Sequence, residues 1–154
     1  MIQLRFSSDL DAAPADVWRH ASSMAGVNHE LLPLMRMTHP RDATDLSSQL
    51  LKLGQTAFVS TLLLFGLLPA DRHHLMLERL YPGVGFDERS WSWLQRVWIH
   101  RRRIEQHGEV TRITDELEFE PRLFFMAPLL RPVIRALFAH RHRRLRKKFL
   151  RRAA

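Results

Sequence analysis

A histidine and two carboxylates, His100, Asp115 and Glu88, are the residues whose types and spacing best suit chemistry in this chain. The turn at residues 106–109 predicts a hairpin with a two-residue loop at 107–108, which places His100 opposite Asp115. Glu88 joins them if the preceding turn, near residues 93–95, has three residues. A carboxylate beside an imidazole raises its basicity and fixes its tautomer. The group fits acid–base catalysis of enolisation, dehydration or cyclisation, although such residues more often form a buried polar network that closes a curved sheet.

Other side chains on the same predicted face would contact a ligand. Arg102 would hold a ligand carboxylate or oxyanion, or it would neutralise Glu88. A bulge near Ser90 would be needed to turn Trp91 and Trp93 inward. The predicted ligand contacts are Arg102, Trp98, Ser90, Phe86, Ile113 and Leu117 on strands, and Leu129, Val133 and Leu137 on the last helix, with Phe124 and Phe125 as further cavity-lining candidates.

Missing residue types exclude several classes of site. The chain has no cysteine, which excludes disulfides, a thiol nucleophile, a zinc ribbon and an iron–sulfur centre. The two glycines at 83–85 lack the third glycine and the following helix of a dinucleotide site. His73 and His74 are adjacent on a predicted strand, and His140 and His142 diverge on a predicted helix, so neither pair chelates a metal well. We therefore assign no metal and no cofactor.

The hydrophobic pattern gives the order of elements that would position these residues. It predicts a strand at 2–10, a helix at 14–24 that Gly26 ends, a short helix at 27–32 and a strand at 34–39. Residues 41–55 are either a loop or a short helix that Asp45 caps and that runs through Leu46, Leu50, Leu51 and Leu53. Five more strands follow at 56–66, 72–81, 85–93, 96–105 and 109–119, and a long amphipathic helix at about 123–151 ends the chain.

Basic residues are concentrated at the end of the chain. The net charge is +8, and all 16 Asp and Glu precede residue 140, whereas 8 of the 24 Lys and Arg lie in 140–152. Such a block either forms a solvated helix end or holds nucleic acid or an anionic membrane through phosphate contacts. No recognition motif supports nucleic acid, so the solvated end is the favoured interpretation.

This order of elements predicts an α+β helix-grip fold. Adjacent strands joined by short turns imply a curved antiparallel sheet of about seven strands, in the order β-α-α-β6-α, around the last helix. The chain resembles the START-like, or SRPBCC, superfamily, which includes lipid-transfer domains, polyketide aromatase/cyclases, plant allergen-like carriers and coenzyme-Q-binding proteins, and it is most similar to an uncharacterised bacterial group there. The resembling segments are 26–40, 63–75, 82–90, 98–104, 114–122 and 138–149. The resemblance implies a pocket and a small apolar ligand rather than a particular reaction.

Three functions remain open at this stage. The first is binding of a small hydrophobic or aromatic ligand, such as a lipid, a quinone or a polyketide-like molecule, between the sheet and the last helix. The second is a cyclase or dehydratase that uses His100 with Asp115 or Glu88. The third is nucleic-acid or anionic-membrane binding through 140–152. We expect residues 1–154 to form a single cytoplasmic domain, because no export signal is visible and the apolar run at 57–69 is too short to span a bilayer. We expect that run to be a strand buried on both faces.

Overall fold

Seven strands form one antiparallel sheet in the computed structural model, which describes residues 1–47 and 52–150. The sheet order is β1-β7-β6-β5-β4-β3-β2, so the first and last strands of the chain are neighbours. This confirms the α+β class and the seven-stranded antiparallel sheet. The strands are β1 (Ile2–Leu10), β2 (Met35–Met37), β3 (Thr56–Leu64), β4 (Leu68–Tyr81), β5 (Gly85–Ser92), β6 (Gln95–His107) and β7 (Val110–Pro121).

Two short helices connect the first two strands. Helix α1 (Pro14–Ala21) begins with a proline. Ser23 is the N-cap of α2 (Met24–Leu31), because its Oγ accepts a hydrogen bond from the Gly26 backbone N–H at 2.9 Å. The prediction that the first helix reaches residue 24 and that Gly26 ends it is wrong. Gly26 lies in the first turn of α2, where a Cβ would come within 1.8 Å of the His20 carbonyl oxygen.

The long C-terminal helix packs across the concave face of the sheet. Helix α3 (Ala127–Lys148) follows a 3-10 turn at Phe124–Met126, which confirms the predicted element with a later start. Leu130, Ile134 and Phe138 pack with buried residues of β1 and β7, and Leu145 packs near Leu10. This is the helix-grip arrangement that the order of elements predicts.

The apolar run at 57–69 is not a single strand buried on both faces, so that prediction is wrong. Strand β3 ends at Leu64, and the chain then turns back into β4 through Phe65, Gly66 and Leu67. Phe65 and Leu67 are exposed at this turn. The long hydrophobic run hides the reversal because only Gly66 marks the turn.

The loop of the hairpin between β6 and β7 has the predicted two residues, but it lies one position later in the sequence than predicted. His107 pairs with Val110, so the loop is 108–109, and Arg102 rather than His100 lies opposite Asp115. Gly108, with φ +61°, occupies the first loop position, whereas the prediction placed it second. His100 instead faces Leu117. The register moves by two residues, which keeps the same side chains on the inner face.

Residues 41–55 are described only in part. A bridge joins Ser23 to Asp45, and the Asp45 carboxylate accepts hydrogen bonds from the backbone N–H and the hydroxyl of Ser47. The predicted short helix includes Leu50 and Leu51, which lie outside the described residues.

Candidate functional site

A cavity of about 180 Å³ lies between the inner face of the sheet, α2 and α3. Most of its wall is apolar and comes from α2, β2 to β6 and the middle of α3. Its volume resembles that of an engineered cavity that binds benzene, which indicates a ligand of about one ring. The apolar lining residues include Met24, Val27, Leu31, Met35, Met37, Leu75, Leu77, Phe86, Trp98, Leu130, Val133, Ile134, Leu137 and Phe138.

Glu88 is the centre of the polar part of this wall. His73 Nε2 and Ser90 Oγ each lie 2.6 Å from Glu88 Oε1, and His100 Nδ1 lies 3.5 Å from Glu88 Oε2. The strands bring these groups together, because Glu88 pairs with His100 across β5 and β6, as predicted, and His73 comes from the inward positions of β4. A carboxylate surrounded by several hydrogen-bond donors therefore faces a mostly apolar cavity.

A second carboxylate, Asp115, lies behind the cavity wall. Its Oδ1 lies 2.7 Å from both His100 Nε2 and Arg102 Nε, and its Oδ2 lies 2.8 Å from His142 Nε2. The Arg102 guanidinium also donates to Glu30 on α2 at 2.8 and 3.1 Å. His100 thus has both ring nitrogens directed at carboxylates, and Asp115 has no free oxygen to offer a ligand.

Two residues of the basic C-terminal block, Arg141 and His142, are buried in this network, and two more, Arg144 and Arg146, donate hydrogen bonds to other elements. Arg141 donates to Glu30, and His142 bridges Asp115 and Ser8. Arg144 donates to the His29 carbonyl oxygen, and Arg146 donates to Ser8 Oγ. These contacts weaken the interpretation of 140–152 as a free surface that binds nucleic acid or a membrane. Binding of either partner through 140–152 stays a prediction. Arg143, Lys147 and Lys148 are exposed.

The environment keeps three of the buried carboxylates, Glu30, Glu88 and Asp115, ionised. Burial alone would raise the pKa of Glu88, but hydrogen bonds from His100 and His73 outweigh it and lower that pKa. Burial likewise acts to raise the pKa of Glu30 and of Asp115, and the Arg102 guanidinium outweighs it together with Arg141 and His20 at Glu30 and with His100 at Asp115. The same carboxylates raise the pKa of Arg102 against its own burial. The network is therefore a set of fixed charges around the cavity.

The structure separates the predicted site residues into three groups. Glu88, His100, Phe86, Trp98, Val133 and Leu137 line the cavity. Arg102, Asp115, Ser90, Ile113 and Leu117 are buried behind the wall, in the polar network or the core. Leu129 is 61% exposed and lies outside the lining, as do the exposed Phe124 and Phe125. No bulge turns Trp91 and Trp93 inward, and both are exposed.

Sequence reasoning missed four residues that build the site, namely His73, Glu30, Arg141 and His142. His73 alternates with Leu75 and Leu77 on one face of β4, which is a usable signal. Arg141 and His142 continue the spacing of three and four set by Ile134 and Phe138, but the surrounding basic residues disguise it.

The described parts of the chain also limit the kinds of site. Within residues 1–47 and 52–150, no group of three or more His, Asp or Glu side chains has the geometry to hold a metal ion. Among the helices of those residues, none combines the length and apolar composition needed to cross a membrane. The cytoplasmic location remains a prediction.

Comparisons with solved structures agree with the fold. The chain is similar to protein CV1439 from Chromobacterium violaceum, with 13% identity and a TM-score of 0.71 over 97% of this chain and 99% of that one. It is similar to a START superfamily protein from Mycobacterium smegmatis, with 11% identity and a TM-score of 0.66 over 96% of each chain. It is also similar to Ara h 8.0201, with 9% identity and a TM-score of 0.56 over 92% of this chain and 95% of that one. At these identities the likeness shows the START-like fold, which confirms the resemblance read from the sequence.

Sequence comparisons give the family. No curated protein matches the chain significantly. A family model described as a domain of unknown function, DUF8410, matches residues 8–149, which is most of the chain. The chain is therefore a member of the DUF8410 family, with a START-like fold.

Proposed function

We propose that the protein binds a small apolar or aromatic molecule that carries one hydrogen-bond donor, without converting it. The observation that carries this proposal is the ionised Glu88 carboxylate in the wall of an apolar cavity of about 180 Å³. The apolar walls favour a hydrocarbon or aromatic body. The resemblance to a superfamily that includes small-molecule carriers supports the same function.

The polar lining favours a donor on the ligand. Glu88 accepts hydrogen bonds, and the Oε1 atom of Gln95, also a lining residue, is buried without a hydrogen-bond partner. A buried acceptor without a partner is destabilising, so a ligand hydroxyl or amine gains free energy by supplying a donor. An alcohol, a phenol or an amine therefore fits better than a hydrocarbon of the same size.

Thermal unfolding with matched ligands tests this proposal. Phenol-like and aniline-like monocyclic compounds are compared with hydrocarbons of the same shape, and we expect the compounds with a donor to raise Tm more. Glu88→Gln keeps the shape but removes the charge, and we expect it to reduce that preference. A panel in which no compound raises Tm would contradict the proposal.

Acid–base catalysis is the second candidate. One observation favours it: His73 and Glu88 both line the cavity, and His73 Nε2 lies 2.6 Å from Glu88 Oε1. His100 suits a catalytic role less well, because both of its ring nitrogens face carboxylates. Mass analysis of bound ligands after incubation separates the two functions. A ligand recovered unchanged supports binding alone, whereas a product that disappears in Glu88→Gln, with binding retained, supports catalysis.

A further inference from the structure

Large hydrophobic side chains are exposed in two segments of the chain. One segment is the turn between β3 and β4, and the other is the start of α3 with the 3-10 turn before it. Solvated monomers rarely expose contiguous apolar surface of this kind without a partner. We call these residues the apolar rim: Phe65, Leu67, Leu68, Phe124, Phe125 and Leu129.

The two segments lie beside the same cavity. Leu62 and Ala70, next to the β3–β4 turn, and Val133, one turn after Leu129, all line it. Hydrogen bonds link the chain three residues after Leu68 to the chain two residues before Phe124, because Asp71 Oδ1 accepts from the Leu94 N–H at 3.2 Å and the Leu94 carbonyl accepts from the Arg122 N–H at 3.0 Å. The rim therefore borders the space between β4 and α3.

The β3–β4 turn presents its side chains at an energetic cost. Phe65 has φ +55°, a left-handed conformation that is unfavourable for a bulky residue, and its side chain is exposed. Backbone hydrogen bonds hold the turn, since the Phe65 N–H donates to the Leu34 carbonyl oxygen at 2.8 Å, but the exposed aromatic side chain gains no burial there. A large apolar side chain at this position is therefore presented to the surroundings rather than used in the core.

The charges near the rim point to one kind of partner. Residues 121–154 contain no Asp or Glu, and Asp71, the one carboxylate of residues 52–77, is buried. Exposed arginines lie nearby, with Arg36 opposite Leu63 beside the turn and Arg131 and Arg135 on α3. Two copies meeting through this face would bring cations together, whereas an anionic surface would attract it.

We propose that the apolar rim docks on the surface of a bilayer that contains anionic phospholipid. The exposed Leu and Phe side chains enter the boundary between headgroups and acyl chains, and the arginines face the phosphates. This docking does not depend on which ligand the cavity holds. It also differs from binding through 140–152, because the apolar side chains supply the affinity.

Sedimentation of the full chain with vesicles of phosphatidylcholine and phosphatidylglycerol tests the proposal. The rim variant combines Leu67→Asn with Phe124→Asn, whose native side chains are 81% and 88% exposed, so little packing is lost. The matched variant combines Leu53→Asn with Val84→Asn, exposed apolar positions away from the rim. A third variant combines Arg143→Ala with Lys147→Ala. Circular dichroism and Tm verify that every variant folds.

We expect the wild-type chain and the Leu53/Val84 variant to bind the vesicles, and the rim variant to bind at least about tenfold more weakly. The proposal is overturned if the wild-type chain does not bind, or if the rim variant binds as the wild type does. It is also overturned if the Arg143/Lys147 variant alone loses binding, which would assign the surface to the basic block. A wild-type dimer that the rim substitutions dissociate, without vesicle binding, would assign the rim to a second copy.

Discussion

At the scale of single residues, the chain holds an unusual number of charges away from water. Glu30, Arg102 and Asp115 are almost completely buried, and each has charged or hydrogen-bonding partners on other elements. Buried charges of this kind are tolerated only while their partners remain, since removal of one partner leaves the others unpaired. Asp115 is the most connected of them because it contacts His100, Arg102 and His142.

Replacing Asp115 with Asn should therefore destabilise the fold by about 3–5 kcal/mol, because the buried Arg102 guanidinium loses one of the two carboxylates that neutralise its charge. Glu116→Gln is the matched control, since Glu116 is the next residue and lies in a surface ion pair with Arg5 at 3.6 Å. That change should alter the free energy of unfolding by less than about 1 kcal/mol. Urea unfolding followed by tryptophan fluorescence measures both, and equal effects would contradict the assigned role of Asp115.

At the scale of elements, the rotation of α3 determines which side chains reach the cavity. Leu130 is 8% exposed and lines the cavity, whereas its neighbour Leu129 is 61% exposed. The apolar stripe read from the sequence includes both residues, because the spacing of apolar residues cannot show which edge of a wide stripe the sheet covers.

The pair gives a direct test of this rotation. Leu130→Ala should lower the free energy of unfolding by about 2 kcal/mol or more, because it removes buried methyl groups and enlarges a cavity. Leu129→Ala should change it by less than about 0.5 kcal/mol. Chemical denaturation of the two variants measures the difference, and a larger loss for Leu129→Ala would show that α3 is rotated.

The approach of β5 to β6 gives a second test at this scale. A Cβ on Gly85 would lie 1.9 Å from the Arg102 carbonyl oxygen, so Gly85→Ala should destabilise the protein by about 3 kcal/mol or more. Gly83 also has a positive φ, +79°, but a Cβ there meets no atom within 4 Å, so Gly83→Ala should cost only about 1–2 kcal/mol. If thermal unfolding shows the same loss for both, backbone conformation rather than close packing is the cause.

At the scale of the whole molecule, the buried carboxylates make stability depend on pH. Folding lowers the pKa values of Glu30, Glu88 and Asp115 from ordinary values of 4.5, 4.5 and 3.8. Their contribution is thus fully present above those values and is lost as the pH falls below them, because the unfolded chain then binds protons that the folded chain does not.

Unfolding midpoints in urea measured from neutral pH down to about pH 3 should fall on the acid side. Each carboxylate that must take up a proton adds a slope of about 1.4 kcal/mol per pH unit. Glu88→Gln should reduce that slope, because one of the three carboxylates is absent. A stability that does not change between about pH 5 and pH 3 would contradict the ionised network.

Much of this architecture can be predicted from the sequence, because strand alternation and the order of elements follow from local patterns. Glu88 opposite His100 was predicted correctly, whereas Asp115 opposite His100 was not, since the loop position of Gly108 could be chosen in two ways. The roles of Arg141 and His142 depend on contacts with distant elements, so the composition of the basic block conceals them. The sequence likewise contains no local sign that Glu30 meets Arg102.

The central claim is that the cavity between β4 and α3 binds a small ligand, and calorimetric titration with phenol tests it most directly. Leu137 on α3 lines the cavity, so Leu137→Trp should fill it, whereas Ala136→Trp places the same side chain at the exposed neighbouring position of α3, outside the lining. We predict saturable binding to the wild-type chain and to Ala136→Trp, and a loss of at least about tenfold in affinity for Leu137→Trp. Equal affinity in all three proteins, or no binding to the wild-type chain, would contradict the account.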